Sequence, residues 1–479
     1  MRNKVLLAAA LVALMASPAF AAVQNVKVSG DIDSTYINRN HFGLGQRTAN
    51  GYENGLKHQS AFLTQTRVRI DADLSDNVST TVGLINERGW GAELSGATAD
   101  THVDLYLAYA TMREFLYSPL TVSVGRQVFN FGNGLIIGDG GPNNTASGNF
   151  NNTIANDLTK RTTYDGVKAI LDYKPLTLDL IYFKNNAGAS GLTGAGNAVK
   201  MQSDVYGINA NYQLGDPMNS VVEAYFFARV GGHSNTTTVT DKGDTLYVPG
   251  LRVSTNPIKG LNTQAEIAWQ KGVKSLAPGG STTAGGDNIS RDAMAAQFMA
   301  SYTLPVYQKY KPAVNASYTH VSGDKSGDNQ RQLGGAPASK NHYSAWDPFN
   351  EAQGSGTIYN TLFNLTNLNI VALGAQVTPI QDVTAAATWS GLWLDRPVGT
   401  GNAINNSMPT NQPDGTLTPT FATATGHHLG NEYDVNVNYA YTEDVTFGLS
   451  LGWFVPGKVF TSANDSTASQ ALAHVNVNF

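Results

Sequence analysis

The feature that most limits how this chain can fold is an alternation of apolar and polar residues recurring along nearly its whole length. At the C-terminus Ala473, Val475, Val477 and Phe479 alternate with Leu472, His474, Asn476 and Asn478. In Phe62–Leu74 the residues Phe62, Thr64, Val68, Ile70, Ala72 and Leu74 face one way, and Gln65, Arg67, Arg69, Asp71 and Asp73 the other. A period of two sends successive side chains to opposite faces of a strand. About eighteen such runs can be marked, from Val26–Tyr36 to Ala471–Phe479.

The connections alternate as well. Short turns such as Ser75–Asn77, Lys174-Pro175 and Thr442–Asp444 take turns with long polar segments such as Asn38–Ser60, Phe129–Thr163 and Ser322–Thr366. An antiparallel meander with short turns at one end and long loops at the other is the layout of an outer-membrane β-barrel, apolar side to lipid and polar side to a lumen. A soluble propeller would instead show a repeat of roughly 40–50 residues with blade signatures, and none is found. Tyr36, Tyr173, Tyr182, Tyr212, Trp269, Tyr302, Trp389, Trp393, Tyr441 and Trp453 fall near strand ends on the apolar face, where interfacial belts form.

The ends agree with export. Residues 1–21 carry a basic start (Arg2, Lys4), an apolar stretch from Val5 to Ser17 and a small-residue exit at Ala19-Phe20-Ala21. That is the layout of a cleaved secretory signal, too short to span a bilayer as a helix. The organisation expected is therefore a signal at 1–21 and one barrel over 22–479. Loss of Arg2 and Lys4 makes the mature chain more acidic than the whole chain's formal charge of −5. The absence of cysteine excludes disulfides, thiolate metal sites and covalent haem. No nucleic-acid partner and no cofactor is expected. Membrane lipid, a small solute or saccharide, and the barrel assembly machinery, addressed through Phe479, are the expected partners.

Residues on the polar face would line the pore. The chosen set is Arg67, Arg69, Asp71, Arg126, Lys168, Glu223, Arg229, Glu432 and Asp434, with Asp73, Asp104, Asp179 and Glu266 beside them. Arg126 is the odd member, because continuing the alternation of Leu120, Val122 and Val124 sends it outward. A bulge at Gly125 would turn it in. Charges of both signs on one wall select solutes by charge and shape, and about half of them are expected to pair with each other.

Catalytic readings find little support. The 9 histidines are scattered, and His427 and His428, being adjacent on a strand, point to opposite faces. Gly138-Asp139-Gly140-Gly141-Pro142 lacks the helix and the Lys-Ser/Thr step of a phosphate loop. Ser322–Asn329 lacks the spacing of a calcium loop. No metal site and no enzyme activity is expected.

Several segments resemble the alginate-export porin family of eighteen-stranded outer-membrane barrels. They are Val124-Gly125-Arg126-Gln127, then Gly134-Leu135-Ile136-Ile137-Gly138, then Arg161-Thr162-Thr163-Tyr164-Asp165-Gly166-Val167. Ser322-Gly323-Asp324 resembles the family's "SGD" before a long loop. Leu429–Asp434 with Gly452–Gly457 resembles its "LGxExD … ffPG" ending. The resemblance implies a monomeric passive conduit whose selectivity comes from lumen charges and infolded loops. The family's polyanion exporter is associated with a strongly basic lumen, whereas the wall charges here are mixed. A passive channel for small polar or anionic solutes, oligosaccharides included, is therefore expected ahead of an alginate-like polysaccharide exporter. The sheath of an electron conduit is a further alternative.

Overall fold

The computed structural model describes residues 25–45, 58–90, 103–138, 157–185, 203–231, 235–236, 239–240, 244–275, 288–324, 342–352, 356–397, 426–462 and 464–479. Eighteen long strands form one closed antiparallel barrel. They are β1 (Asn25–Asn40), β2 (His58–Ser75), β3 (Val78–Gly89), β4 (Asp104–Met112), β5 (Leu120–Gln127) and β6 (Tyr164–Asp172). Next come β7 (Leu176–Asn185), β8 (Ser203–Gln213), β9 (Val221–Gly231), β10 (Thr245–Ile258), β11 (Leu261–Ser275) and β12 (Ala293–Thr303). The last are β13 (Ala313–Val321), β14 (Leu368–Ile380), β15 (Val383–Leu394), β16 (His428–Ala440), β17 (Val445–Pro456) and β18 (Ala468–Asn478).

Each strand pairs with its neighbours in sequence, and β1 also pairs with β18, from Asp31↔Asn478 to Asn40↔Ser469. Closure leaves no row of bare N–H and C=O groups, the requirement for crossing hydrocarbon with strands. The chain end completes the seam. Gly30 N–H donates to the Phe479 carbonyl at 2.8 Å, and Phe479 N–H donates to the Gly30 carbonyl at 3.0 Å. A Cβ at Gly30 would come within 2.5 Å of the Phe479 ring, so this close approach requires glycine.

The strands occur where the alternation places them, but several run further. β1 continues past Tyr36 to Asn40, and β10 past Val253 to Ile258. In the β1 extension the side chains keep alternating inward and outward but are no longer apolar on the outer face, and in the β10 extension the pairing shifts register between Thr255 and Ile258.

The outer face is apolar as expected, with Val26, Val28, Ile32, Phe62, Ile70, Val82 and Leu84 exposed. The inner face departs from expectation near the long loops. There Ile37, Leu63, Ile85, Phe183, Phe227, Val248 and Leu392 point inward and are buried. Loop residues fold in to meet many of them, and Phe42, Phe129, Phe131, Trp346, Phe349, Phe363 and Phe460 join one continuous core inside the barrel. Each such side chain contributes about 1.5–3 kcal/mol on leaving water, enough to hold a loop within a polar-walled tube. The wall is therefore apolar on both faces at this end, as adjacent pairs such as Tyr182-Phe183 and Phe226-Phe227 require.

Candidate functional site

The infolded segments are fixed to the wall by buried charge. Glu432 on β16 is fully buried and accepts the backbone N–H of Ile358 at 2.8 Å and of Tyr359 at 2.6 Å. Thr357 Oγ1 donates to Asp434 Oδ1 at 2.6 Å. These bonds satisfy the first free N–H groups of the short helix Tyr359–Leu362. Close by, Arg39 at the end of β1 donates two bonds to Asp157, at 2.9 and 2.5 Å, and one to Gln470 at 2.6 Å.

A second anchor holds residues 342–352. Asp347 lies 3.1 Å from Arg229 Nη2 and accepts from Arg291 Nη1 at 2.6 Å. Arg291 also grips both oxygens of Asp244 at 2.8 Å. Burial opposes the charge on Asp347, but Arg229, Arg291 and Lys274 outweigh it and hold the carboxyl below the usual carboxylate range.

A third anchor meets the loop after β5. Glu223, Arg252 and Glu266 lie in register on β9, β10 and β11. Arg252 donates to Glu223 Oε1 at 2.9 Å, to Gln264 Oε1 at 2.7 Å and to Asn133 Oδ1 at 3.1 Å. Gly132 and Gly134 flank Asn133 with φ of 56° and 72°, a reversal that glycine adopts without strain. This turn is thereby seated over the arginine.

The wall of β1–β4 is different, because the arginines of β2 still meet water, although Arg39 and Glu87 on the same wall are buried. Arg67 and Arg69 are 34% and 43% exposed. Arg67 spends only Nε on Asp31, at 2.7 Å. Its two terminal nitrogens have no hydrogen-bond partner among the described residues, and its guanidinium carbon stands 5.9 Å from the Tyr106 ring centre. Arg69 donates through Nε and Nη2 to Asp71 at 2.8 and 2.9 Å. The segment 157–161 adds cations to the same wall. Lys160 Nζ lies 3.1 Å from both Asp31 and Asp33, and Arg161 contacts Asp104 and donates to Glu87 at 2.8 Å. The result is a strip of guanidinium and ammonium donors, each steadied by a carboxylate, with a tyrosine ring near one of them. Such a strip can hold a small anion transiently.

Among the residues picked from sequence, Arg67, Arg69, Asp71, Lys168, Glu223, Arg229, Glu432 and Asp434 face inward. Each sits opposite inward-facing neighbours, such as Arg67 against Asp31 and Ile85, or Arg229 against Val205 and Leu246. They do not form one site: Arg67, Arg69 and Asp71 line the accessible wall, while Glu223, Arg229, Glu432 and Asp434 anchor loops. Lys168 stands between, 3.8 Å from Asp179 and 5.2 Å over the Phe131 ring.

Arg126 is a correction, because it lies on the outer face. It pairs in register with Asp165, which pairs with Lys184, which pairs with Asp204, while the flanking Gln127, Phe183 and Val205 are buried inside. Arg126 donates to Asp165 at 2.9 and 2.7 Å. Gly125 does take φ 128°, yet the alternation passes through it unchanged.

Sequence reasoning missed Arg39, Arg252, Arg291, Lys160 and Asp347. Arg39 and Arg252 continue the inward parity of Thr35 and Ile37 and of Gly250, so alternation extended by a few residues would have found them. Arg291, at the end of the short strand Asn288–Arg291, keeps the inward parity of Ala293 and Ala295, whereas Asp347 sits in a loop segment where no period exists. His427 and His428 bond the Leu394 carbonyl and Asn431 and share no ligand. Residues 139–142 and 325–329 of the two polar loop motifs lie outside the described residues.

Comparison with known proteins follows this geometry. A family model described as alginate export matches residues 37–474. None of the curated proteins matches the chain. Among solved structures, Acinetobacter baumannii OccAB1 superposes with a TM-score of 0.55 at 11% identity, covering 97% of this chain and 98% of that one. Pseudomonas aeruginosa OccK8 (OprE) gives 0.54 at 12%, covering 95% and 98%. OccK2 (OpdF) of the same organism, solved with glucuronate, gives 0.52 at 12%, again covering 95% and 98%. At these identities the likeness is one of fold.

Proposed function

Since the chain belongs to the alginate export family, an outer-membrane barrel of the porin type rather than an enzyme, we propose that it is a passive channel for small polar solutes bearing a carboxylate. The observation that carries this reading is Arg67, partly exposed on the lumen wall, with its terminal guanidinium nitrogens uncommitted among the described residues and a tyrosine ring beside it. A carboxylate takes two parallel N–H bonds from such a fork. The glucuronate in the OccK2 structure is a solute of this chemistry.

The balance of charge speaks against a polyanion exporter. Along the accessible wall Arg67, Arg69, Lys160 and Arg161 are each matched by Asp31, Asp33, Asp71, Asp104 or Glu87. A long polyanion needs a continuous run of uncompensated cations, whereas a single carboxylate needs one or two. Reversal potentials across planar bilayers test the reading. Weak anion preference with block by millimolar glucuronate is expected; strong cation preference, or no conductance, would defeat it.

Three further expectations belong to this reading: cleavage after Ala21, assembly through the terminal Phe479, and a monomeric barrel. N-terminal sequencing of the mature protein checks the first. Deletion of Phe479 with assay of outer-membrane yield checks the second, and mass of the detergent-solubilised protein the third.

A further inference from the structure

The turn joining β12 to β13 is longer than the other short turns and, like the turn after β4 with Phe115, Leu116 and Tyr117, exposes large apolar side chains. Leu304 N–H donates to the Pro312 carbonyl at 2.8 Å, and the enclosed residues form a single 3-10 turn at Gln308–Tyr310. Tyr307 and Lys311 flank it with φ of 48° and 42°, a left-handed conformation disfavoured for bulky residues. Packing within the chain does not account for it: Tyr307 is 78% exposed, and Val306 and Tyr310 are exposed too. The neighbouring hairpin tip is bonded alongside, Thr303 N–H to the Gly260 carbonyl at 2.8 Å, and presents the exposed Ile258.

The charges here are uncompensated. Lys259, Lys309 and Lys311 form no ion pair among the described residues, and Lys309 stands 5.5 Å from the Tyr310 ring centre. Several other short turns carry the opposite sign, Asp76, Asp216, Asp382 and Glu443 with Asp444, and Lys174 stands alone in its turn. The cationic, aromatic patch also continues directly into the apolar outer face of β12–β14, where Val314, Leu373 and Val377 are exposed.

We propose that Ile258–Gly260 and Leu304–Pro312 bind the headgroup of an anionic phospholipid at the short-turn rim of the barrel. Tyrosines and aliphatic side chains settle at the level where hydrocarbon gives way to headgroups. Lysines there extend their stems along the apolar surface and place their ammonium groups among the phosphates. An acidic protein would answer the same charges, but continuity with the lipid-facing strands favours the membrane.

Native mass spectrometry of the detergent-purified barrel with phosphatidylglycerol and phosphatidylcholine of equal chain length tests the site. Wild type is expected to retain phosphatidylglycerol preferentially. The preference should fall roughly fivefold for each lysine removed in Lys259→Gln, Lys309→Gln and Lys311→Gln, and stay unchanged in Lys174→Gln on a remote turn. Equal retention of both lipids, or an unchanged preference in the triple variant, would overturn the proposal. A photo-crosslinking side chain at position 307, installed in cells, leaves every lysine in place and decides the matter even if the triple variant fails to assemble. A lipid adduct is expected, and a protein adduct in its place would overturn the site.

Discussion

Two walls of the same barrel put similar residues to different uses. On β1–β4, Arg67 and Arg69 project from the inner face into water, steadied by Asp31 and Asp71. On β9–β11 and β16, Arg252, Glu223 and Glu432 are covered by infolded chain; Glu432 and Arg252 bond it directly, and Glu223 holds Arg252 in place. Facing the lumen is therefore not the same as lining the path. What separates the walls is whether a loop supplies apolar cover, because cover raises the cost of an unpaired charge and turns it into an anchor.

The largest effect should come from the anchor at Asp347. Replacement by Ala leaves Arg291, 1% exposed, and Arg229 without their shared partner. Breaking a buried pair in this way costs about 3–5 kcal/mol. Release of residues 342–352 should raise single-channel conductance severalfold, with added noise; unchanged conductance would show that this segment does not narrow the lumen.

Glu432→Gln should follow, at about 1–3 kcal/mol, since an amide NH2 replaces one of the two carboxyl oxygens and leaves the N–H of Ile358 or Tyr359 without its acceptor. Thermal unfolding read from heat-modifiable gel migration would register it, and an unchanged midpoint would count against the anchor.

Acidification probes the same contrast without mutation. The Asp347 carboxyl in the folded chain lies below its ordinary range. The stability it contributes is therefore complete above the unfolded-state value of about 4 and is lost only as pH falls through the lower folded value. Conductance should hold from neutrality down to roughly pH 4 as far as this anchor is concerned, and a rise near pH 6 would place the gate elsewhere.

On the open wall, Arg67→Gln should leave stability within about 1 kcal/mol, as for other exposed pairs. It should nonetheless lower the anion-to-cation permeability ratio and weaken block by glucuronate. Arg126→Gln should change neither, because the side chain is outside; a shift in reversal potential would return it to the lumen.

Much of this was legible in the residues themselves. Alternation and turn spacing identified the strands, and parity put Arg67, Arg69 and Glu432 inside. The same parity, followed strictly through Val122 and Val124, would have put Arg126 outside, where the structure has it. Less visible was the apolar inner face near the long loops, although Tyr182-Phe183 and Leu392-Trp393-Leu394 are apolar on both faces and so depart from simple alternation.

The sequence by itself determined the strands, their faces and the closing pair of β1 with β18, because these follow from a local period of two and from the need to leave no backbone edge in lipid. Only the tertiary structure decided which inward charges meet the solute. Asp347 meets Arg229 and Arg291, and Glu432 meets Ile358, across long stretches of chain through loops without periodicity. Cover by those loops, more than direction alone, separates an anchor from a pore-lining group.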